Sequence, residues 1–118
     1  MAGRLSTHVL DTMHGCPAAG VTVELWAVFN GHRSLLKTVV TGADGRTDQP
    51  LLTGDDMKAG TFELVFFVGD YFASKAASPA TVRFLDQVPV RFSVADVNAN
   101  YHIPLVCSPW AYSTYRGS

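Results

Sequence analysis

Val21-Thr22-Val23-Glu24-Leu25-Trp26-Ala27-Val28-Phe29-Asn30-Gly31 decides the fold. Val, Val, Leu, Ala and Phe fall at every second position, the two-residue period of a half-buried strand. Asn30-Gly31 follows at once, and both residue types tolerate positive φ, the requirement of a two-residue hairpin turn. The return strand is expected at Leu35–Thr41, closed by the turn residues Gly42-Ala43-Asp44-Gly45.

The same grammar extends in both directions. Leu5–Met13 alternates and runs into the loop signal His14-Gly15-Cys16-Pro17, and residues 46–60 are polar and turn-rich, with room for one short edge strand. Thr61–Val68 is a β-branched and aromatic run, hence a strand. Asp70–Ala77 is the one stretch with helical propensity, and Ser78-Pro79 stops it. Further strands are expected at Val88–Ala95, Tyr101–Cys107 and Trp110–Tyr115, the last two joined through Ser108-Pro109. Short strands, regular turns and one short helix describe an all-β sandwich.

Length and composition set the outer bounds. The 118 residues suit a single domain, 1–118, and are too few for two. Nine Lys and Arg against ten Asp and Glu leave a formal net charge of −1 without any block of like charge, which argues against a nucleic-acid partner. No apolar run approaches the roughly 20 residues that span a bilayer, so no membrane association is expected. The first residues lack the apolar core of a signal peptide, and Arg-Gly-Ser is not a peroxisomal signal; the cytoplasm is the expected location. Cys16 and Cys107 could form at most one disulfide, have no CxxC neighbour, and are expected as reduced thiols.

Familiar catalytic motifs are missing: no GxSxG, no HExxH, no phosphate-cradling glycine loop and no EF-hand pattern. Catalysis would need dispersed residues gathered by the fold. His8 and His102 lie in mid-strand, where regular sheet gives an imidazole the fixed placement of a general base. His8 shares a face with Ser6 and Leu10, and His102 with Pro104 and Val106. A strand histidine taken alone is more often structural than catalytic. His14 and His32 fall in turns and read as solvated. Pro104 cannot donate to a β-ladder, so its strand should be irregular or unpaired there. Arg46 follows the Gly42–Gly45 turn and could clamp an oxygen-rich planar ligand through paired N–H donors, or be an ordinary exposed arginine. Tyr115-Arg116-Gly117-Ser118 follows the last strand directly and would cluster a phenol, a guanidinium and a hydroxyl; a frayed end is the plain alternative.

Together these residues resemble a family, the transthyretin-related 5-hydroxyisourate hydrolases. The segments that carry the resemblance are His8-Val9-Leu10-Asp11, Asp44-Gly45-Arg46, Gly69-Asp70-Tyr71-Phe72, Tyr101-His102-Ile103-Pro104-Leu105, Ser108-Pro109-Trp110 and Tyr112-Ser113-Thr114-Tyr115-Arg116-Gly117-Ser118. It covers nearly the full length, and the final Tyr-Arg-Gly-Ser separates the hydrolases from transthyretin proper.

The resemblance implies a transthyretin-like (prealbumin-like) sandwich of two four-stranded sheets with one short helix. It also implies a homotetramer, a dimer of dimers paired through the last strands, with active sites in a central channel. It implies hydrolysis of 5-hydroxyisourate in urate breakdown, with His8, Arg46, His102 and Ser118 as catalytic residues. His8, Arg46, Tyr115, Arg116 and Gly117 would bind substrate. No metal or cofactor is called for, because imidazole would activate the water. The alternative from another class is a non-catalytic transthyretin-like carrier of small molecules. A zinc site from His8, His102 and a cysteine is weak, lacking local ligand spacing.

Overall fold

The Asn30-Gly31 hairpin forms as its sequence requires. In a computed structural model, which describes residues 3–76 and 83–117, Asn30 has φ 52° and Gly31 φ 78°. The turn joins β3 (Thr22–Phe29) to β4 (His32–Val40) with Phe29 opposite His32. The return strand thus starts three residues before the expected Leu35, because a two-residue turn lets pairing begin at once. A bulge at Leu25/Trp26 shifts the register partway along.

The other strands are β1 (Arg4–Asp11), β2 (Cys16–Pro17), β5 (Leu52–Thr53), β6 (Gly60–Phe66), β7 (Val88–Val94), β8 (Asn100–Cys107) and β9 (Tyr112–Thr114), with one α-helix, α1 (Val68–Lys75). They build two sheets: β4-β3-β6-β7, and β2-β1-β8-β9, with two-residue β5 added beside β1. The fold is the expected transthyretin-like sandwich with one short helix. Between the sheets pack Leu5, Val9, Val23, Leu25, Leu64, Phe66, Val88 and Leu105, all fully buried.

Several boundaries depart from the sequence reading. The helix begins at Val68 and not Asp70, taking the end of the predicted β6 run. Val68, Tyr71 and Phe72 are buried on its inner side, so the apolar residues after Phe66 follow helical spacing. The expected stop at Ser78-Pro79 lies outside the described residues. β9 is three residues long, because Ser108–Ala111 forms a turn in which the Ser108 N–H donates to Ala111 O (2.8 Å) and Trp110 belongs to that turn. His32 opens β4 as an exposed residue and does not sit in the turn.

His14 sits exposed in the expected turn, and it also has a buried partner. Its Nδ1 lies 2.7 Å from Oδ2 of buried Asp11, and its N–H donates to Oδ1 at 3.0 Å. The Tyr71 hydroxyl donates to the same Oδ2 at 2.7 Å, so His14 helps to tie the β1–β2 turn to α1. Cys16 is an exposed free thiol; Cys107 is buried, and burial pushes its thiol up to about 12.

β1 and β8 position the chemistry. They run parallel in register from Arg4↔Asn100 to Asp11↔Cys107. Alternation along β1 sends Leu5, Thr7, Val9 and Asp11 into the core and leaves Ser6, His8 and Leu10 on the outer face. His102 comes up beside Ser6 on that outer face. A slip of one residue would put both histidines in the core, where their polar atoms would cost several kcal/mol unless bonded (of order 2–7).

Candidate active site

Pairing of β1 with β8 is the first step in building the site. Ser6 and His102 are neighbours in the parallel ladder, and the Ser6 hydroxyl lies 2.8 Å from His102 Nδ1. His8 stands two residues further along β1, opposite Pro104.

The Asp44-Gly45-Arg46 segment is pinned along β1 from the other side. The Val9 N–H donates to Gly45 O at 2.9 Å, and His8 and Arg46 form an isolated antiparallel bridge. Gly45 has φ +78°, and a Cβ there would meet Val9 O at 2.4 Å and His8 Cδ2 at 3.2 Å. Only glycine meets both the conformation and the close approach. Asp44 closes the turn by accepting the Arg46 N–H on Oδ1 at 3.0 Å. His8 Nε2 is 2.9 Å from the Asp44 carbonyl; a carbonyl only accepts, so Nε2 carries the proton and donates it there. The turn thus orients His8 and delivers Arg46 together.

The C-terminal segment closes the site over β8. Thr114 Oγ1 donates to Pro104 O at 2.7 Å, and the β8–β9 ladder stops at Leu105↔Thr114. It resumes as a single bridge at His102↔Gly117, where the Gly117 N–H donates to His102 O at 2.8 Å. On this side the ladder is interrupted at Pro104, as the missing N–H requires; on the β1 side the register runs through unbroken. A Cβ on Gly117 would stand 2.8 Å from His102 Cδ2, so the backbone passes directly against the imidazole.

These elements line an open cavity of about 380 Å³, bordered by Arg4, Ser6, Arg46, Asn100, His102, Tyr115 and Gly117, a volume in the range that takes small ligands. Of the expected site residues, Arg46, His102, Tyr115 and Gly117 form its wall, and His8 stands beside it at the Asp44 turn. Arg116 is directed elsewhere: its Nη2 donates to Asn100 O at 3.2 Å, and its guanidinium lies 4.1 Å over the Tyr101 ring. Tyr101 is itself held by the N–H groups of Ala95 and Asp96, each 3.0 Å from its hydroxyl. Arg116 therefore clamps the C-terminal segment onto β8. Ser118 lies outside the described residues. Sequence reasoning missed Arg4, Ser6 and Asn100 as lining residues, although the period that places His8 outward also places Ser6 and Arg4 outward.

Electrostatics set the state of the imidazole. Burial, reinforced by the nearby Arg46 and His8, holds His102 below the ordinary histidine value. His102 is therefore neutral at physiological pH and able to accept a proton. Among the described residues, no three His, Cys, Asp or Glu side chains converge as metal ligands. No helix of the described residues is long and apolar enough to cross a membrane.

Residues 5–117 match the model of the HIUase/Transthyretin family. The chain belongs to that family. A relative from Halalkalibacterium halodurans named 5-hydroxyisourate hydrolase is 53% identical over 119 residues, 100% of both chains. One from Pseudomonas aeruginosa with the same name is 48% identical, covering 98% of this chain and 92% of its own. Among solved structures, an (S)-allantoin synthase superposes with a TM-score of 0.92 at 42% identity over 99% of this chain, which spans 44% of that protein. Transthyretin from Sparus aurata superposes with a TM-score of 0.85 at 25% identity, covering 97% of this chain and 96% of its own. Proteins of different names thus share this sandwich, and the fold alone does not assign the activity.

Proposed function

We propose that this chain hydrolyses 5-hydroxyisourate to 2-oxo-4-hydroxy-4-carboxy-5-ureidoimidazoline in urate degradation. The observation that carries the reading is the convergence of the neutral His102 imidazole and the Arg46 guanidinium on one polar cavity. The hydrolases named above, at 48–53% identity, support it more strongly than transthyretin at 25%.

In this mechanism His102 takes a proton from water, with the Ser118 hydroxyl able to relay it. The water oxygen bonds to the lactam carbonyl carbon of the six-membered ring. Arg46 stabilises the oxyanion that forms, a contribution of about 10²–10³-fold for one well-placed donor. The carbon–nitrogen bond then breaks, His102 returns the proton to the leaving nitrogen, and the ring opens to a carboxylate. General-base action by a near-neutral imidazole contributes about 10²–10⁴-fold. His8, oriented by Asp44 next to Arg46, helps to fix the water and substrate, while Tyr115 and Gly117 supply the wall against which the planar substrate lies. Arg116 acts by holding that wall on Tyr101 and Asn100.

The proposed working unit is a homotetramer in the cytoplasm. β9 is a sheet edge, and edges left open invite pairing. Trp110, Tyr112 and Tyr115 beside it are 65%, 46% and 60% exposed in the single chain, surface that pairing through β9 and stacking of two dimers would cover.

The test is the decay of freshly generated 5-hydroxyisourate, followed by ultraviolet absorbance with and without catalytic amounts of protein. Rapid decay that is lost on deleting Arg116–Ser118 supports the hydrolase. No acceleration by the folded protein, with binding of small molecules that survives the same deletion, supports the carrier instead.

A further inference from the structure

The His102 ring has two nitrogens, and the fold deals with them differently. Nδ1 stands 2.8 Å from the Ser6 hydroxyl, which parallel pairing of β1 and β8 holds beside it across 96 residues of chain. Nε2 is the ring nitrogen left for chemistry. A serine hydroxyl could meet Nδ1 in two ways. If it donated, Nε2 would carry the ring proton and neither nitrogen of the neutral ring would have a free lone pair. If it accepts from Nδ1–H, Nε2 is the free base. Resting on the hydrolase reading above, we infer that Ser6 is the positioning residue of His102: its oxygen accepts the Nδ1 proton and fixes the tautomer whose Nε2 lone pair takes the proton of water.

The ring is surrounded mainly by positive or neutral groups. Arg4 and His8 come from β1, Arg46 from the β4–β5 loop, and Tyr115 and Arg116 from the segment after β9, with Arg116 turned onto Tyr101. When Nε2 gains its proton, the imidazolium forms in a pocket that also holds Arg4 and Arg46, and the Ser6 oxygen is a fixed acceptor for its other N–H. The hydroxyl plays the part that a carboxylate plays for other catalytic histidines, without bringing a charge.

Ser6→Ala and Ser6→Thr test this, each read for kcat, KM, pH profile and the ¹⁵N shifts of His102. For Ser6→Ala, kcat should fall by about 10- to 100-fold, the usual effect of removing a histidine's outer partner, with KM little changed. The acid limb of kcat/KM should move to lower pH, because the imidazolium loses an acceptor. Ser6→Thr should restore both. The ¹⁵N shifts should report an Nδ1–H ring in the unmodified protein and a move towards Nε2–H in Ser6→Ala. Unchanged kcat in Ser6→Ala, an acid limb that moves up, or an Nε2–H ring in the unmodified protein would each overturn the inference. Should the unmodified protein fail to hydrolyse 5-hydroxyisourate, the hydrolase reading falls separately, and the ¹⁵N tautomer alone still decides the role of Ser6.

Discussion

Gly117 passes so close to His102 that a Cβ added to it would stand 2.8 Å from the imidazole Cδ2, while its N–H holds the His102 carbonyl at 2.8 Å. The backbone of the C-terminal segment is thus a wall of the imidazole's own pocket. In Gly117→Ala the ring must shift, and a displacement approaching 1 Å in a reacting group can cost about 10²-fold. The expected result is a fall in kcat of at least about tenfold, with a melting temperature close to that of the unmodified protein. Full activity in this variant would remove Gly117 from the site.

Gly45 carries a different constraint, since its φ of +78° and its 2.4 Å approach to Val9 O are both closed to alanine. Gly45→Ala should lose at least about 1–3 kcal/mol of stability, the ordinary cost of a strained backbone conformation. It should also lose activity, because the same turn delivers Arg46 and orients His8. Urea unfolding and turnover, measured on the same preparation, check the two together.

The pH dependence follows from His102. Burial, then Arg46 and His8, lower its pKa, so the base form persists below the ordinary histidine value and the acid limb of activity should lie there too. Arg46→Gln removes one of those causes. The His102 ring, followed by NMR titration, should then charge at a higher pH than in the unmodified protein. A pKa that stays put or falls would contradict the placement of Arg46 beside it.

At the far end of β1 the expected effect is on stability alone. Asp11 loses solvation by burial, which raises its pKa, but the bonds from Tyr71 and His14 outweigh that and hold it below the ordinary value. A depressed carboxylate contributes stability that is present above its unfolded pKa of about 3.9 and is lost as pH falls through the folded value. Tyr71→Phe should therefore cost about 1.5–3 kcal/mol at neutral pH, the range for a hydrogen bond to a charged group. The deficit should shrink below about pH 4, with turnover at neutral pH unchanged. Denaturant unfolding at neutral and acid pH measures it.

What could be read from the sequence was what depends on neighbours in the chain. Asn30-Gly31 announced its hairpin, and the period of two put His8 on one face with Ser6 and Leu10, and His102 with Pro104 and Val106, without knowledge of any partner. The rest depends on contacts between distant segments. Ser6 has no visible reason to matter until β8 lies parallel beside β1. Arg46 reads as a loop arginine until the Gly45 carbonyl is seen bonded to Val9. Arg116 reads as a ligand for substrate until its guanidinium is found over Tyr101. The helix start was missed because Val65–Val68 is one apolar run that the fold divides, its first residues alternating across a sheet and its last turning into a helix.

The central claim is that His102 is the base of a 5-hydroxyisourate hydrolase, and His102→Asn tests it most directly. Asparagine keeps a polar group on β8 but cannot take the proton. The measurement is the ultraviolet decay of 5-hydroxyisourate supplied by urate oxidase, with thermal unfolding of both proteins recorded alongside. The account predicts rapid catalysed decay for the unmodified protein and, for His102→Asn, a loss of about 10²–10⁴-fold with little change in unfolding temperature. A folded His102→Asn protein that turns over substrate at the unmodified rate would contradict it.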